Sequence, residues 1–275
     1  MPRRHTLTRQ MLARAAAPLL VLGVVAGVVT PAGASASGSA GAAATRPGTI
    51  CQRRGHEAVA ARGRHYVVKN DNYGGQAECM TLARHGVGFT VTRSAASSYG
   101  PEAMAYPFAL YGCSWGLCTR GSGLPAPVSH VRRATTSWSF TGRARGRWSA
   151  AIDVWFGRHR SAWRDQARGA ELMIWLNAGD FPARGAAVIR IGHRRWEVRH
   201  WVARIGPAHW NYIQVRAVRP VRRVRGLKLM PIIRRVERMG LVRPHWWMLN
   251  IESGFEIWHG GRGLATHSFT ASVRR

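Results

Sequence analysis

The chain has 275 residues and is strongly basic, with 41 Lys and Arg against 12 Asp and Glu and a formal net charge of +29. Such a charge favours nucleic acid, an acidic polymer or an anionic membrane as a partner. Because the arginines are spread along the whole chain and form no single tract, we expect no specific nucleic-acid recognition. The charge predicts at most non-specific adhesion to anionic cell-wall polymers.

The first 36 residues have the pattern of an export signal. Four arginines between positions 3 and 14 precede an uncharged apolar stretch, 15–29, and small residues follow at 31–36. The apolar stretch is too short and too rich in Ala and Gly for a membrane span. We therefore predict a signal peptide, 1–36, and a secreted, extracellular protein with no membrane span in its mature form. The general secretory and twin-arginine routes both stay open.

The rest of the chain is predicted to form one domain. Residues 37–48 are rich in Ala, Gly and Ser, a composition that favours a flexible lead-in. Residues 49–275 have a length at which an all-β sandwich can form a single domain.

Most of this domain is predicted to consist of short β-strands, because apolar and polar residues alternate between turn residues. The predicted strands cover 65–69, 88–93, 137–141, 149–156, 186–191, 195–202, 211–218 and 267–273. The segment 227–239 instead has apolar residues at helical spacing, with Pro231 in its first turn and Gly240 after its end. Many strands and one helix predict an all-β, two-sheet β-sandwich with a jelly-roll-like topology.

Four cysteines in an exported chain indicate disulfides. Cys113 and Cys118 are close enough in sequence to close one loop, which leaves Cys51 to pair with Cys79. A zinc site is the competing interpretation. The chain has no Cys-x-x-Cys pair and its histidines are scattered, so no metal is predicted.

Two glutamates lie in short alternating segments, where residues i and i+2 share a face of a strand. Glu171 shares a face with Met173 and Trp175, and Glu256 shares a face with Trp258. A carboxyl group beside an aromatic ring suits the binding of a sugar next to a catalytic acid. One such residue alone is more simply a solvated strand glutamate. Two with the same type of neighbour, in an acid-poor chain, favour the catalytic interpretation.

Asp153 is a third acid in such a segment, where it shares a face with Trp155. It could orient a nucleophilic carboxylate and influence its ionisation, or it could pair with one of the many arginines. Retaining hydrolysis of a glycosidic bond needs two carboxyl groups about 5–5.5 Å apart. Since 85 residues separate Glu171 from Glu256, only the fold could bring them together.

Several segments together resemble glycoside hydrolase family 12. Glu-Leu-Met-Ile-Trp-Leu at 171–176 and Ser-Gly-Phe-Glu-Ile-Trp-His-Gly-Gly-Arg-Gly-Leu at 253–264 are similar to its two signature segments. The resemblance extends to 51–70, 111–118, 210–213, the helix near 227, and 268–269. It follows the family order over nearly all of the predicted domain.

The resemblance implies a jelly-roll sandwich whose concave face forms a cleft for β-1,4-glucans, which are cut internally with retention. It implies Glu171 as the nucleophile, Glu256 as the general acid/base and Asp153 as the support of the nucleophile. It also implies the two disulfides inferred above and neither a metal nor an organic cofactor. We expect a monomeric endo-β-1,4-glucanase. Xyloglucan-specific hydrolysis and a non-catalytic carbohydrate-binding relative are the alternatives.

The predicted substrate-binding residues are Asn70, Tyr73, Trp115, Trp155, Met173, Trp175 and Trp258. Tyr73 stands where the family typically has a tryptophan that stacks on a glucosyl ring, which leaves the preferred glucan open. The remaining tryptophans considered, predicted to pack in the core or at its rim, are Trp196, Trp201, Trp246 and Trp247. An arginine near Glu256 would lower its pKa, whereas a general acid must hold its proton. We therefore expect an acidic to neutral pH optimum.

Overall fold

The computed structural model describes residues 48–161, 166–181 and 187–275. The predicted signal peptide and residues 37–47 of the lead-in lie outside these ranges, so both stay predictions. No helix within these ranges is both long and apolar enough to cross a membrane.

The described strands form a six-stranded sheet, a twelve-stranded sheet and a small separate pair. In chain order they are β1 (Thr49–Ile50), β2 (His56–Ala61), β3 (Arg64–Lys69), β4 (Glu78–Leu82), β5 (Phe89–Ser94), β6 (Ala96–Ser97), β7 (Phe108–Ser114), β8 (Leu117–Cys118), β9 (Ala126–Pro127), β10 (Arg133–Thr141), β11 (Trp148–Gly157), β12 (Ala170–Gly179), β13 (Ala187–Ile191), β14 (Arg194–Ile205), β15 (Ala208–Ala217), β16 (Arg223–Lys228), β17 (Trp247–Met248), β18 (Asn250–Ile257), β19 (His259–Gly260) and β20 (Ala265–Arg274). A 3₁₀ turn, Val128–His130, and one α-helix, α1 (Met230–Arg238), accompany them within the described ranges.

The two large sheets confirm the predicted β-sandwich. The smaller sheet has the order β1-β4-β5-β20-β10-β16, and the larger has β13-β14-β15-β12-β11-β18-β7-β3-β2. Among the described pairs, β12 and β15 run parallel, and the others are antiparallel. Strands distant in sequence therefore meet at the centre of the larger sheet.

The main core lies between the two sheets and is built from alternating side chains. Trp138 of β10 enters it from the smaller sheet. From the larger sheet, Leu172, Ile174 and Leu176 of β12 enter it, as the strand pattern predicts.

The opposite face of the larger sheet carries Asp153, Glu171 and Glu256, and we call it the carboxylate face. Strand β11 lies at its centre, with Trp155 opposite Glu171 of β12 and Ser149 opposite Glu256 of β18. A second apolar cluster lies on this face and includes Met173, Trp175 and Trp258. The three predicted acids therefore share one face of neighbouring strands.

Close packing of β18 against β7 requires glycine at position 254. A Cβ atom on Gly254 would lie 2.3 Å from the carbonyl oxygen of Pro107 and 2.7 Å from Cβ of Phe108. Only glycine fits so tight a contact, because it has no side chain. The contact fixes the strand that carries Glu256.

The predicted helix begins three residues too early. Residues 227 and 228 belong to β16, where Leu227 and Lys228 pair with Thr136 and Thr135 of β10. The helix begins at Met230, with Pro231 in the first turn as predicted, where the missing N–H of proline is tolerated. Apolar spacing alone did not separate the end of the strand from the start of the helix.

Both predicted disulfides form. Cys51 joins Cys79, and Cys113 joins Cys118. The second bond closes the β7–β8 hairpin, whose turn carries Trp115.

Candidate active site

Glu171 is held by one strong hydrogen bond on the carboxylate face. Its side chain is buried, and the indole Nε1–H of Trp210 donates to its Oε2 at 2.6 Å. Burial raises the pKa of Glu171 well above its usual value, the Trp210 hydrogen bond opposes this rise, and the charge of Glu256 adds to it. An indole N–H can only donate, so it favours a carboxylate oxygen that carries no proton.

Glu256 has a different partner. The hydroxyl of Ser149 donates to its Oε2 at 2.9 Å. Burial raises the pKa of Glu256 to about 8, the Ser149 hydrogen bond opposes the rise, and the charge of Glu102 adds to it. A hydroxyl can donate or accept, so this partner suits a protonated carboxyl group as well as an ionised one.

The expected lowering of the Glu256 pKa by arginine is wrong. Burial is the largest cause of its shift and acts in the opposite direction. The indole of Trp175 also lowers this pKa slightly, although its Nε1–H makes no regular hydrogen bond within the described residues. Burial of Glu256 therefore outweighs any lowering of its pKa by the basic surface.

Asp153 makes no direct hydrogen bond to Glu171 in the described structure, and its support of the proposed nucleophile stays a prediction. Its Oδ2 accepts a hydrogen bond of 2.7 Å from Nε1–H of Trp155, while its Oδ1 has no partner among the described residues. Burial raises the pKa of Asp153 well above its usual value, and the charge of Glu171 raises it further. Protonation of one of these two acids therefore favours ionisation of the other.

Glu252 is a fourth buried acid that the sequence analysis missed. It lies opposite Asp153 across β11 and β18, and Nδ2 of Asn250 donates to its Oε1 at 2.9 Å. Burial raises the pKa of Glu252 to about 8. Its position four residues before Glu256 puts it on the same face, so the strand pattern carried a signal that could have found it.

Two tyrosines complete the centre of the carboxylate face, and both were also missed as site residues. Burial raises the pKa of the Tyr212 hydroxyl well above its usual value, with Glu256 and Glu171 as the next causes. Tyr106 donates from its hydroxyl to the carbonyl oxygen of Ala151 at 3.3 Å. Trp210, Tyr106 and Tyr212 reach the acids only because β15 and the segment before β7 adjoin them in the fold.

Two of the predicted sugar-binding residues are open to solvent. Tyr73 is 37% exposed, and Trp115 is 46% exposed. Burial raises the pKa of the Tyr73 hydroxyl, and the charge of Glu256 raises it further, although the side chain as a whole keeps an open surface. Trp115 packs edge-on against Trp155, with ring centroids 5.9 Å apart.

The other predicted sugar-binding residues are buried in the described structure, so their contact with a sugar stays a prediction. Trp155 gives its N–H to Asp153, and Met173 is fully enclosed. Phe181 covers Trp175 and Trp258, with ring centroids 5.0 and 4.8 Å from theirs. The shared face is as predicted, but these side chains pack against protein in this structure.

Asn70 is also buried and is held by hydrogen bonds to backbone groups. Its Nδ2 donates to the carbonyl oxygen of Gln52 at 3.1 Å, and its backbone N–H donates to that of Gly55. Asn70 therefore holds the start of the loop that carries Tyr73, and does not itself contact the open surface.

Four arginines line a groove of about 610 Å³ between α1 and β13. Its arginines are Arg190, Arg234, Arg235 and Arg238. Arg234 pairs with Glu237 at 3.0 Å. Adhesion to anionic polymers stays a prediction.

Comparison with known proteins gives matches over most of the chain. The family model described as Glycosyl hydrolase family 12 matches residues 64–274. Endoglucanase S of Pectobacterium parmentieri is 32% identical over 115 residues, which span 39% of this chain and 42% of that protein. The chain thus spans less than half the length of this curated relative.

Two solved structures are similar over nearly their whole length. A metagenome-derived glycoside hydrolase family 12 endoglucanase is 36% identical, with a TM-score of 0.75 over 82% of this chain and 97% of that one. An endoglucanase from Rhodothermus marinus is also 36% identical, with a TM-score of 0.74 over 82% of this chain and 98% of that one.

Proposed function

The chain belongs to glycosyl hydrolase family 12, and from this membership we propose that it is a secreted endo-β-1,4-glucanase that cleaves internal glucosidic bonds with retention. The observation that carries the proposal is the contrast between two buried acids on one face. Glu171 accepts a hydrogen bond from the indole N–H of Trp210, which can only donate. Glu256 accepts one from the hydroxyl of Ser149, which can donate to an ionised carboxylate or accept from a protonated carboxyl group. One acid is thus prepared to attack and the other to donate a proton.

In the proposed mechanism the two acids act in turn. Glu171 attacks the anomeric carbon while protonated Glu256 gives its proton to the leaving glycosidic oxygen, forming a covalent glycosyl-enzyme. Glu256, now ionised, removes a proton from water, which attacks the same carbon and releases Glu171. The Trp210 hydrogen bond favours the ionised form of Glu171, and burial raises the pKa values of Asp153 and Glu252, which favours their neutral forms and so limits repulsion of the attacking carboxylate.

Product analysis on a small panel of glucans tests this proposal. We expect soluble β-1,4-glucan or mixed-linkage β-glucan to lose viscosity faster than reducing ends accumulate, as internal cleavage requires. Proton NMR should show the β-anomer first, since two displacements preserve configuration. The α-anomer appearing first would contradict retention. If no glucan releases reducing sugar, the non-catalytic alternative is favoured. If xyloglucan alone releases reducing sugar, the xyloglucan-specific alternative is favoured.

The pKa of Glu256 predicts the alkaline limit of activity. A general acid works only when protonated, so kcat/KM should hold below about pH 8 and fall as the pH rises through that value. Since the Ser149 hydrogen bond lowers this pKa, Ser149→Ala should move the alkaline limb to higher pH. The measurement is a pH profile of kcat/KM for both proteins. A limb that stays in place in the variant, or activity that is flat well above pH 9, would contradict the assignment.

A further inference from the structure

Trp201 lies in line with the proposed nucleophile on the carboxylate face. Glu171 of β12 is in register with Tyr212 of β15, and Tyr212 is in register with Trp201 of β14. Neighbouring strands are about 4.8 Å apart, which puts Trp201 about 10 Å from Glu171 along the row. This distance is comparable with the length of two glucosyl units.

The row extends from Glu171 away from Glu256. The strand order β14-β15-β12-β11-β18 puts Trp201 on one side of Glu171 and Glu256 on the other. A glucan that crosses the strands over Glu171 would therefore continue over Tyr212 and reach Trp201.

The ring of Trp201 is supported on one side and open on the other. It stacks on Tyr212 with centroids 4.3 Å apart and planes 24° apart, yet 47% of its surface is exposed. Since Tyr212 covers one face of the indole, the exposure belongs to the other face and the edges. The prediction that Trp201 packs in the core or at its rim is wrong. Trp196, on the same strand, does enter the core.

Tyr212 links this ring to the proposed centre. The charges of Glu256 and Glu171 contribute to the raised pKa of its hydroxyl, so the phenol end lies within their field. Its other side carries Trp201. A rigid aromatic pair of this kind binds at low entropic cost, because the ring is already held in place.

We propose that Trp201, supported by Tyr212, is a binding site for a glucosyl ring about two units from the bond that is cleaved. The inference rests on the proposed function and extends it. Hydrolysis would then depend on how many glucosyl units extend from the cleaved bond toward Trp201.

Substrate length provides the test, with β-1,4-glucan oligosaccharides of two to six units. For Trp201→Ala we expect kcat/KM on the hexasaccharide to fall about 3- to 10-fold, while the disaccharide, which has one unit on each side of the cleaved bond, stays within about twofold of the wild-type value. Trp201→Phe should recover most of the loss. Val202→Ala is the matched control, because Val202 is 52% exposed and points to the opposite face of the same strand. It should change neither value.

Two results would overturn the inference. Equal ratios of kcat/KM on the hexasaccharide to kcat/KM on the disaccharide for Trp201→Ala and wild type would show that the ring binds no sugar. Equal losses on every length would show that Trp201 only packs on Tyr212. If the exposed hairpin tip, which also carries Ile205, joins two copies of the chain instead, Trp201→Ala and Val202→Ala should both change the molecular mass in solution, and the kinetics would not separate them.

A binding measurement separates this inference from the proposed function. In the Glu171→Gln background, calorimetry with the hexasaccharide should show affinity that Trp201→Ala reduces by the same factor. If the hexasaccharide binds in this way but the wild-type protein does not hydrolyse glucan, the proposed enzymatic function is refuted and the Trp201 binding site is supported. If the wild-type protein hydrolyses glucan but hexasaccharide binding does not depend on Trp201, only the Trp201 binding site is refuted.

Discussion

Replacing Glu171 by Gln is expected to lower kcat on β-1,4-glucan by about 10⁴-fold or more, because no group remains to form the glycosyl-enzyme. The amide oxygen can still accept from Trp210, and a neutral side chain suits the buried position. The melting temperature should therefore not fall. The measurement is reducing-sugar release beside a thermal unfolding scan.

Glu256→Gln should cause a similar loss on glucan but differ in its dependence on the leaving group. An aryl glucoside with an acidic phenol needs no proton from the enzyme, so Glu256→Gln should permit much of the first step, whereas Glu171→Gln should not. Glu102→Gln is the control, since Glu102 is exposed and near enough to influence Glu256. Equal inactivity of the two variants at positions 171 and 256 on the activated substrate would contradict the separate roles.

Trp210→Phe should lower kcat/KM about 10- to 100-fold, which corresponds to the loss of one hydrogen bond to a charged group. Phenylalanine keeps most of the ring but cannot donate to Oε2 of Glu171. Because that hydrogen bond lowers the pKa of Glu171, its loss should raise the pKa, and activity should fall away at a higher pH on the acid side. The check is a pH profile of kcat/KM.

The chain offers a matched control for this substitution. Trp196 is also buried, and its Nε1 has no hydrogen-bond partner among the described residues. Trp196→Phe should therefore change the packing to a similar degree while leaving the acid limb in place. If both variants lose activity equally with unchanged pH profiles, the Trp210 N–H has no special role.

The alternation of apolar and polar residues along each strand was enough to predict which side chains share a face of the sheet. It separated Glu171, Met173 and Trp175 from Leu172 and Ile174, and the structure puts the second group in the main core. Period-two patterns are reliable here because one side of each strand packs on the opposite sheet. Strand β7 lacked such a signal, since all of its residues are buried and no alternation marks it.

Alternation could not predict which side chains stay open. Trp175 and Trp258 lie on the expected face, yet Phe181 covers both. The covering residue lies two residues beyond the end of β12, outside the alternating segment that carries Trp175, and it follows a different strand from the one before Trp258. A pattern gives the direction of a side chain, whereas its exposure depends on what the fold places above it.

The partner of Glu171 also lay beyond local patterns. Trp210 is 39 residues away in sequence and reaches Glu171 through the parallel pairing of β12 with β15. Parallel neighbours are joined by long connections, so nothing near Glu171 indicates which strand will lie beside it. Glu252 is different, because its own strand pattern pointed to the correct face.

The two disulfides have a consequence for where oxidation matters. Tyr73 lies within the loop closed by Cys51 and Cys79, and Trp115 lies within the loop closed by Cys113 and Cys118. The proposed catalytic acids lie instead on strands held by backbone pairing. Reduction of the disulfides would therefore release the two loops that carry these aromatic side chains, whereas the strands that carry the acids would keep their backbone pairing. On the proposed function, a reducing environment would weaken glucan binding while the catalytic carboxyl groups stayed in place.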